Sequence, residues 1–389
     1  MKTVIGVFFG GKSVEHEVSI ISALQVINAI DKEKYDVMPI YITKENKFYT
    51  SDLLFKIDIF KDIKNLESKC DEVYFTHNSS QMIVNKVNGA FKKVIGKIDV
   101  VFPVVHGLNV EDGTLQGFLE MYNIPYVGCD VCSSACGMNK IMFKKILESS
   151  GLPVIEYCEI YASDFEEDEN KVLEEVKSKL SYPIILKPAN LGSSVGIKIV
   201  KNDEEFFDGV KFVLEFTDKI LVERCVTDIR EINSAVLGDS EESLVSVLEE
   251  PVKQDEFLSF KDKYMSESGG TKGSKTSSGM ASLSRKIPAD LDEEKTKYIQ
   301  TLSKKVFKIL DCAGVARIDY IIDGQNDKIY VNEINTIPGS ISFYLWEPIG
   351  IKFDELCDRL IKLAIKRQSR REKIIYSNDV NLLSMHSKK

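Results

Sequence analysis

Residues 315–336, VARIDYIIDGQNDKIYVNEINT, concentrate side chains that handle charge. The segment reads as two strands around a polar turn at Gly324 to Lys328. Symmetric pairing about Asn326 sets Asp319 opposite Glu333 and Arg317 opposite Asn335, with Cβ atoms ~5 Å apart. Both carboxylates then share one face, and like charges directly opposed across a sheet are destabilising unless a cation lies between them. Oxygen donors alone suit magnesium, which combines one or two carboxylates with substrate phosphates. Two such ions could bridge a nucleotide, with manganese as a substitute. Arg317 beside them can stabilise negative charge developing on a transferring group. The competing reading is an exposed sheet face of mixed charges.

A second constellation, YPIILKPANLGSSVGIKIV, ends a strand at Lys187 and continues into a loop with Gly192, Ser193, Ser194 and Gly196. Backbone N–H groups and hydroxyls of such a loop can close over phosphates while the lysine adds a point charge. An ordinary Gly/Ser hairpin with a solvated lysine remains the alternative. Near the start, Gly6 through Ser13 spell GxxxxGKS, the literal phosphate-loop pattern. Val7, Phe8 and Phe9 look like continuing buried strand, which places the first glycine inside the strand and argues against that reading. KILVERC offers a strand edge ending at Glu223, where backbone groups could read adenine and a carboxylate could bind ribose, although a plain core strand explains it as well.

These residues need scaffolding. TVIGVFF reads as a buried strand, GGKS as a turn, EHEVSIISALQVINAI as an amphipathic helix with Ile20, Leu24 and Ile27 on its apolar face, and DVMPIYIT as a second strand. That is a βαβ unit. IDVVFPVVHG is a further buried strand with His106 at its carboxyl end, where ligands of open α/β sheets collect. Asn139 can cap a helix, NKIMFKKILESSG, that stops at Gly151 with Pro153 just beyond. YPIILKP, GIKIV and KILVE are strands of a small α+β unit, and the acidic NDEEFFDGVKFVLEF is its helix. Residues 266–284, SESGGTKGSKTSSGMASLS, form a Gly/Ser/Thr-rich stretch expected to act as a lid or linker. The last 23 residues, from RQSRREK, read as a solvated helix end and tail.

A chain of 389 residues exceeds one ordinary core and implies two or three domains with clefts between them. Hydrophobic content of 43% with 29% charged residues is that of a globular protein. A net charge of -9 opposes nucleic-acid binding, and no basic stripe offsets it. No cationic leader or bilayer-length apolar run is evident, which predicts a cytoplasmic protein without membrane association. Eight cysteines in so long a chain predict free thiols. Cys129, Cys132 and Cys136 have spacings that could suit a soft metal or a redox pair, but no fourth ligand is near.

Taken together, GGKSVEHEVSIISA, HGLNVEDGTLQG, KPANLGSSVGI, the Asp319 hairpin and NTIPG resemble the ATP-grasp superfamily, specifically the D-alanine:D-alanine ligases and their relatives, in motif order from about residue 4 to residue 350. The resemblance implies a mixed α/β and α+β chain: an N-terminal Rossmann-like domain over 1–128, a central ATP-grasp domain over 129–223, a C-terminal ATP-grasp domain over 224–375 with a lid near 258–286, and a tail over 376–389. It also implies a homodimer. By the same resemblance Lys140 and Lys187 touch ATP phosphates, Ser193 and Ser194 cover them, and Glu223 through Val226 border adenine and ribose with Glu231 nearby. Asp319, Glu333 and Asn335 carry magnesium. Glu15 binds the first D-alanine's ammonium group, although the residue also suits the first turn of a helix dipole, and His106 lies near its carboxylate. Lys263 approaches the transferred phosphoryl group. Tyr264 joins Glu15 and Ser193, and a tyrosine rather than a phenylalanine there argues for an amine acceptor. Arg317 and the Gly339 backbone N–H hold the oxyanion.

The reaction so implied is ATP-driven formation of a D-alanyl phosphate and attack by a second D-amino acid, giving a dipeptide for peptidoglycan precursors. The chain departs from the family where the acceptor binds. The usual NTSPGMTSHSL becomes NTIPGSISFYL, so that Tyr344 stands beside Leu345 in place of a small serine, and Val110 occupies a usual glycine position. A phenol in that place changes the pocket and leaves D-serine or a larger amino acid open as acceptor. A nucleotide-binding regulator without turnover is the reading from another class.

Overall fold

The computed structural model describes residues 2–78, 81–87, 93–251 and 285–375. Their strands form three sheets. The first contains β1 (Thr3–Gly10), β2 (Tyr35–Ile42), β3 (Phe48–Thr50), β4 (Asp71–Asn78), β5 (Gln81–Lys86), β6 (Lys93–Ile98) and β7 (Val100–Val105), in the order β6-β5-β4-β3-β2-β1-β7. β1 runs parallel to both β2 and β7, and helix His16–Ala29 makes the first crossover, burying Ile20, Leu24 and Ile27. The expected βαβ start is present. Gly6 lies within β1, where a Cβ would stand 2.7 Å from Ile98, so close packing rather than a phosphate accounts for it. All six residues of β7 are buried, and His106 follows directly at its carboxyl end.

The second sheet is small and antiparallel: β8 (Tyr157–Tyr161), β9 (Ile184–Pro188), β10 (Lys198–Val200) and β11 (Lys219–Arg224), in the order β10-β9-β11-β8. Helix Asp203–Leu214, capped by Asn202, packs Phe206, Val210 and Val213 into its core, as the acidic segment predicted. The third sheet holds β12 (Ile229–Gly238), β13 (Ser243–Pro251), β14 (Arg285–Lys286), β15 (Gly314–Asp323) and β16 (Lys328–Asn335), in the order β14-β13-β12-β15-β16.

Helix Lys140–Ser149 begins at Asn139, whose side chain accepts from the N–H groups of Ile141 and Met142, and Gly151 follows it with φ +68°. Its Phe143 and Leu147 pack into the core of the third sheet together with Cys129 and Leu152, although the chain then enters the second sheet. Helix Phe353–Arg371 returns to the first core through Leu356, Leu360 and Ile361. Its basic end is not simply solvated. Arg367 donates to the carbonyls of Gly128 (2.6 Å) and Tyr126 (2.7 Å) and lies 4.2 Å over the Tyr126 ring, and Gln368 donates to Asn123 Oδ1 at 2.9 Å. Carbonyls at the end of a loop attract cations, which a count of charges along the chain does not register.

Candidate active site

The hairpin β15–β16 pairs Asp319 with Glu333 and Arg317 with Asn335, as expected. The turn is not centred on Asn326, however. From Tyr320↔Val331 to Asp323↔Lys328 the register is one residue shorter, and a bulge at Asp319/Tyr320 restores the expected partners at the functional end. Such a bulge turns the strand and re-aims side chains next to a site. Arg317 grips Asp319 with two parallel bonds, Nε to Oδ1 and Nη2 to Oδ2, each 2.7 Å. Asn335 Nδ2 donates to Asp319 Oδ2 at 3.2 Å, and Lys140 Nζ lies 3.2 Å from Glu333 Oε2. Each carboxylate of the opposed pair therefore faces its own cation.

Behind this face a buried ion cluster links the second sheet to helix Lys140–Ser149. Glu223, fully buried, accepts Lys187 Nζ at 2.5 Å on one oxygen and contacts Lys144 Nζ with the other. Burial pushes the Glu223 carboxyl up, but the ammonium groups of Lys144 and Lys187 outweigh it and hold the pKa down at about 2. Burial lowers Lys187 as well, and Glu223 more than compensates, so this lysine keeps its proton. Glu223 is not on a strand edge: β11 lies between β9 and β8, and its backbone is paired on both sides. Beyond Arg224 and Cys225, whose N–H groups bond Glu156 and Pro183, the chain leaves the sheet, and Val226 and Glu231 line the pocket there. Lys144 escaped the sequence reading. Its spacing of four from Lys140, which puts both on one helix face, was the available signal.

Glu15, expected in a helix's first turn, is the N-cap residue of helix His16–Ala29 and makes no cap bond with its side chain. The carboxylate instead accepts from Ser193 Oγ, joining the first unit to the Gly/Ser loop of the second. Ser193 and Ser194 adopt φ +54° and +58°, and Gly192 admits the carboxylate because a Cβ there would come 3.2 Å from Glu15 Oε2. His106 engages the NTIPG segment. Nδ1 donates to the Ile337 carbonyl (2.9 Å), and Nε2 meets Ser22 Oγ (3.2 Å), which itself accepts from Ser340 N (3.0 Å). Burial lowers the His106 pKa, so the ring is neutral and Nε2 accepts from Ser22.

Glu111 is a second missed residue, although it stands inside the HGLNVEDG motif. Its carboxylate receives the N–H groups of Gly107 and Ile337, each at 3.0 Å, and so ties the His106 turn to the NTIPG turn. Burial pushes its pKa up to about 7. Gly339 and Tyr344 also line the pocket. The turn between them holds Ser340, Ile341 and Ser342 at φ +51°, +54° and +50°, a left-handed run unusual for a β-branched residue. Leu345 does not reach the pocket as expected; it is fully buried in the first core. Neighbouring residues of a 3₁₀ turn point ~120° apart, so when Tyr344 faces the pocket Leu345 turns inward.

Lys263, Tyr264 and the stretch 266–284 lie outside the described residues. The cysteine cluster divides: Asp130 caps helix Val131–Met138 with a capping box, Cys132 and Cys136 follow on that helix, and the Cys129 thiol donates to the Ala313 carbonyl at 3.5 Å. Among the described residues no group of three or more His, Cys, Asp or Glu is placed to hold a metal. The carboxylates of Asp319 and Glu333 and the amide oxygen of Asn335 nevertheless form an all-oxygen set on one sheet face, the donor chemistry that would fit a magnesium ion. No described helix is long and apolar enough to cross a membrane.

Three sheets around a pocket shared by the second and third, with the first closing one end, define an ATP-grasp fold with an N-terminal Rossmann-like unit. Two family profiles match in order: "D-ala D-ala ligase N-terminus" over residues 4–129 and "D-ala D-ala ligase C-terminus" over residues 146–362. The chain is 42% identical over 381 residues to the D-alanine–D-alanine ligase of Thermosipho melanesiensis, covering 98% of each, and 39% identical over 388 residues to that of Caldicellulosiruptor bescii, covering 97% of this chain and 99% of the relative. Among solved structures it resembles the D-alanine-D-alanine ligase of Coxiella burnetii (TM-score 0.77, 31% identity, 96% of both chains). It also resembles the VanG D-Ala:D-Ser ligase of Enterococcus faecalis (TM-score 0.76, 31% identity, 94% of this chain and 100% of that one). The chain belongs to the D-alanine–D-alanine ligase family.

Proposed function

We propose that the protein is an ATP-dependent D-alanine:D-alanine ligase that makes the dipeptide of peptidoglycan precursors. The observation that carries this reading is the hairpin face, where Asp319 and Glu333 oppose each other with Arg317 and Lys140 beside them in a pocket that also holds Glu15. A carboxylate resists attack by an amine until one of its oxygens becomes a leaving group. Transfer of the terminal phosphoryl group to the first D-alanine supplies that group; the second amine attacks the carbonyl carbon, and phosphate departs from the tetrahedral intermediate.

Glu15, fixed by Ser193, holds the first ammonium group. Lys140 and Lys187 take the phosphates under the Ser193–Ser194 loop, and Val226 and Glu231 border the nucleoside. Glu223 keeps Lys187 charged and aimed rather than reading the ribose itself. Asp319, Glu333 and Asn335 would hold two magnesium ions, which when bound neutralise phosphoryl charge and polarise the phosphoryl oxygens. Arg317 and the Gly339 N–H stabilise the oxyanion in a site where such donors are worth far more than in water. His106 and Glu111 set the Gly339 turn. Division of the chain near residues 128 and 223, a homodimeric assembly and a cytoplasmic location belong to the same proposal and rest on the resemblance.

Purified protein incubated with ATP, magnesium and D-alanine is expected to release phosphate and form the dipeptide, read by mass spectrometry. Absence of D-alanine-dependent phosphate release overturns the reading. Tyr344 in place of a small hydroxyl residue favours a second reading, with D-serine or a larger amino acid as acceptor. A mixed D-amino acid panel that yields only D-alanyl-D-alanine removes it.

A further inference from the structure

We propose that Cys129 and Cys312 form a reversible redox pair, a modification site at which a peroxide converts two buried thiols into a disulfide that staples the joint between the first and third sheets. The proposal stands apart from the ligase reading and uses none of the residues assigned to that reaction.

The joint is a close crossing of two distant stretches of chain. A Cβ at Gly314, the first residue of β15, would stand 2.8 Å from the Gly128 Cα and 3.1 Å from its nitrogen, so only hydrogen fits there. Arg367 closes the crossing from helix Phe353–Arg371 through its bonds to the Gly128 and Tyr126 carbonyls. Cys129 and Cys312 adjoin these glycines, each 1% exposed and packed in the core of the third sheet. They are 183 positions apart in the sequence. The two thiols are hydrogen-bonded to each other, and Cys129 also reaches the Ala313 carbonyl at 3.5 Å. Sulfurs in such contact need to approach roughly 1–2 Å further to bond. All eight cysteines are free here, which makes this the reduced state.

The pair is chemically asymmetric, which gives each thiol a separate task. The Cys312 S–H, opposed by burial and aided by the Ala313 backbone and the Arg367 guanidinium, holds the Cys129 thiol below the usual thiol range. Cys312 is driven well above that range, by its bond to Cys129 first and by burial second. Cys129 is therefore the nucleophile and Cys312 the resolving thiol. A Cβ at Gly128 would meet nothing within 4 Å, and Gly128 and Ala313 are half-buried, so open space borders the pair and admits a molecule the size of hydrogen peroxide. The Cys129 thiolate attacks one peroxide oxygen, the O–O bond breaks, and the departing hydroxide takes up the proton that Cys129 gave up and leaves as water. The Cys312 sulfur then attacks the Cys129 sulfenic acid: the S–S bond forms, the S–O bond breaks, and the Cys312 proton leaves with the hydroxide as a second water. Two thiols lose two electrons and the peroxide gains them.

Cys132 and Cys136 provide the contrast. They lie four apart on helix Val131–Met138, Cys132 exposed and Cys136 half-buried, and a bond between them would join one helix to itself. A Cys129–Cys312 bond closes a loop of about 180 residues and removes far more freedom from the unfolded chain. It also ties the segment leading into helix Lys140–Ser149 to the strand that carries Arg317 and Asp319.

The test treats the folded full-length chain with a slight excess of hydrogen peroxide, then counts thiols in denaturant and maps linked peptides by mass spectrometry after alkylation. Two of the eight thiols are expected to disappear, with Cys129 and Cys312 in one linked peptide. The melting temperature should rise by roughly 5–10 °C and return to its starting value with dithiothreitol. The double variant Cys132→Ser/Cys136→Ser should behave as the wild type does, while Cys312→Ser should show neither the linked peptide nor the rise. If Cys312→Ser does not fold, the thiol count and the peptide map of the wild type decide without it. A wild type that keeps all eight thiols, or whose linked peptide joins Cys132 to Cys136 instead, overturns the proposal. A rise in melting temperature that persists in a folded Cys312→Ser variant overturns it as well.

Discussion

Replacing Glu223 with glutamine removes the one negative charge between two buried ammonium groups. The Lys144 side chain is 1% exposed and that of Lys187 12%, so neither can recover its hydration without moving. The Glu223 pKa, held from an ordinary 4.5 down to about 2, corresponds to about 3 kcal/mol at 1.36 kcal/mol per pH unit. Removing one partner of a buried pair costs ~3–5 kcal/mol, in agreement. For a melting unit of roughly 150–250 residues, 3 kcal/mol lowers the melting temperature by roughly 6–12 °C. Differential scanning calorimetry of the wild type, Glu223→Gln, Lys144→Met and the double variant measures this. The double variant should regain part of the loss, because one unpaired charge has gone. The pH dependence has a definite sign. A carboxylate whose folded pKa is depressed contributes stability that is present above the unfolded value and lost as pH falls through the folded one. The gap between wild type and Glu223→Gln should thus be full above pH 4.5 and close as pH falls toward 2. A Glu223→Gln variant that melts with the wild type at pH 7 refutes the reasoning.

Asp319→Asn and Glu333→Gln should each reduce dipeptide formation by at least about 100-fold, and Asp319→Asn should also lower the melting temperature because it takes from the buried Arg317 the carboxylate that accepts both of its bonds; near-wild-type turnover would contradict the assigned site. Ser193→Ala should raise amide hydrogen exchange through residues 192–196 by roughly 10-fold, the worth of one charge-assisted bond to Glu15, with helix His16–Ala29 unaffected. Glu111, with its pKa raised by burial to about 7, contributes stability that is full below 4.5 and lost as pH rises through 7. Urea midpoints at pH 5 and pH 8 should accordingly differ more for the wild type than for Glu111→Gln, and equal differences would exclude this titration.

Much of the fold was readable because its signals are local. Alternating and continuous apolar runs place β1, β2, β7 and β9, and Asn139 and Gly151 bound a helix through capping chemistry that involves only their neighbours. The hairpin was legible at its functional end, where Asp319 meets Glu333, and misread toward the turn, where the bulge adds a residue that no periodicity marks. Tyr344 was recognised as a site residue from its departure from a family pattern. Leu345 was assigned beside it, and only the path of the turn separates the two.

The amino-acid sequence by itself determined which chemical groups are present and which stretches bury one face: carboxylates two residues from an arginine, a lysine at a strand end, glycines and serines in a loop. These properties depend on residue type and short spacing, which are invariant to how the chain closes. Tertiary structure decided which charges meet. Glu223 finds Lys144 79 positions earlier in the sequence, Glu111 bonds Ile337, and Arg285 lies over Tyr344. Contacts of that separation exist only when distant elements pack into one position, and the low dielectric of the interior then gives each pairing its weight.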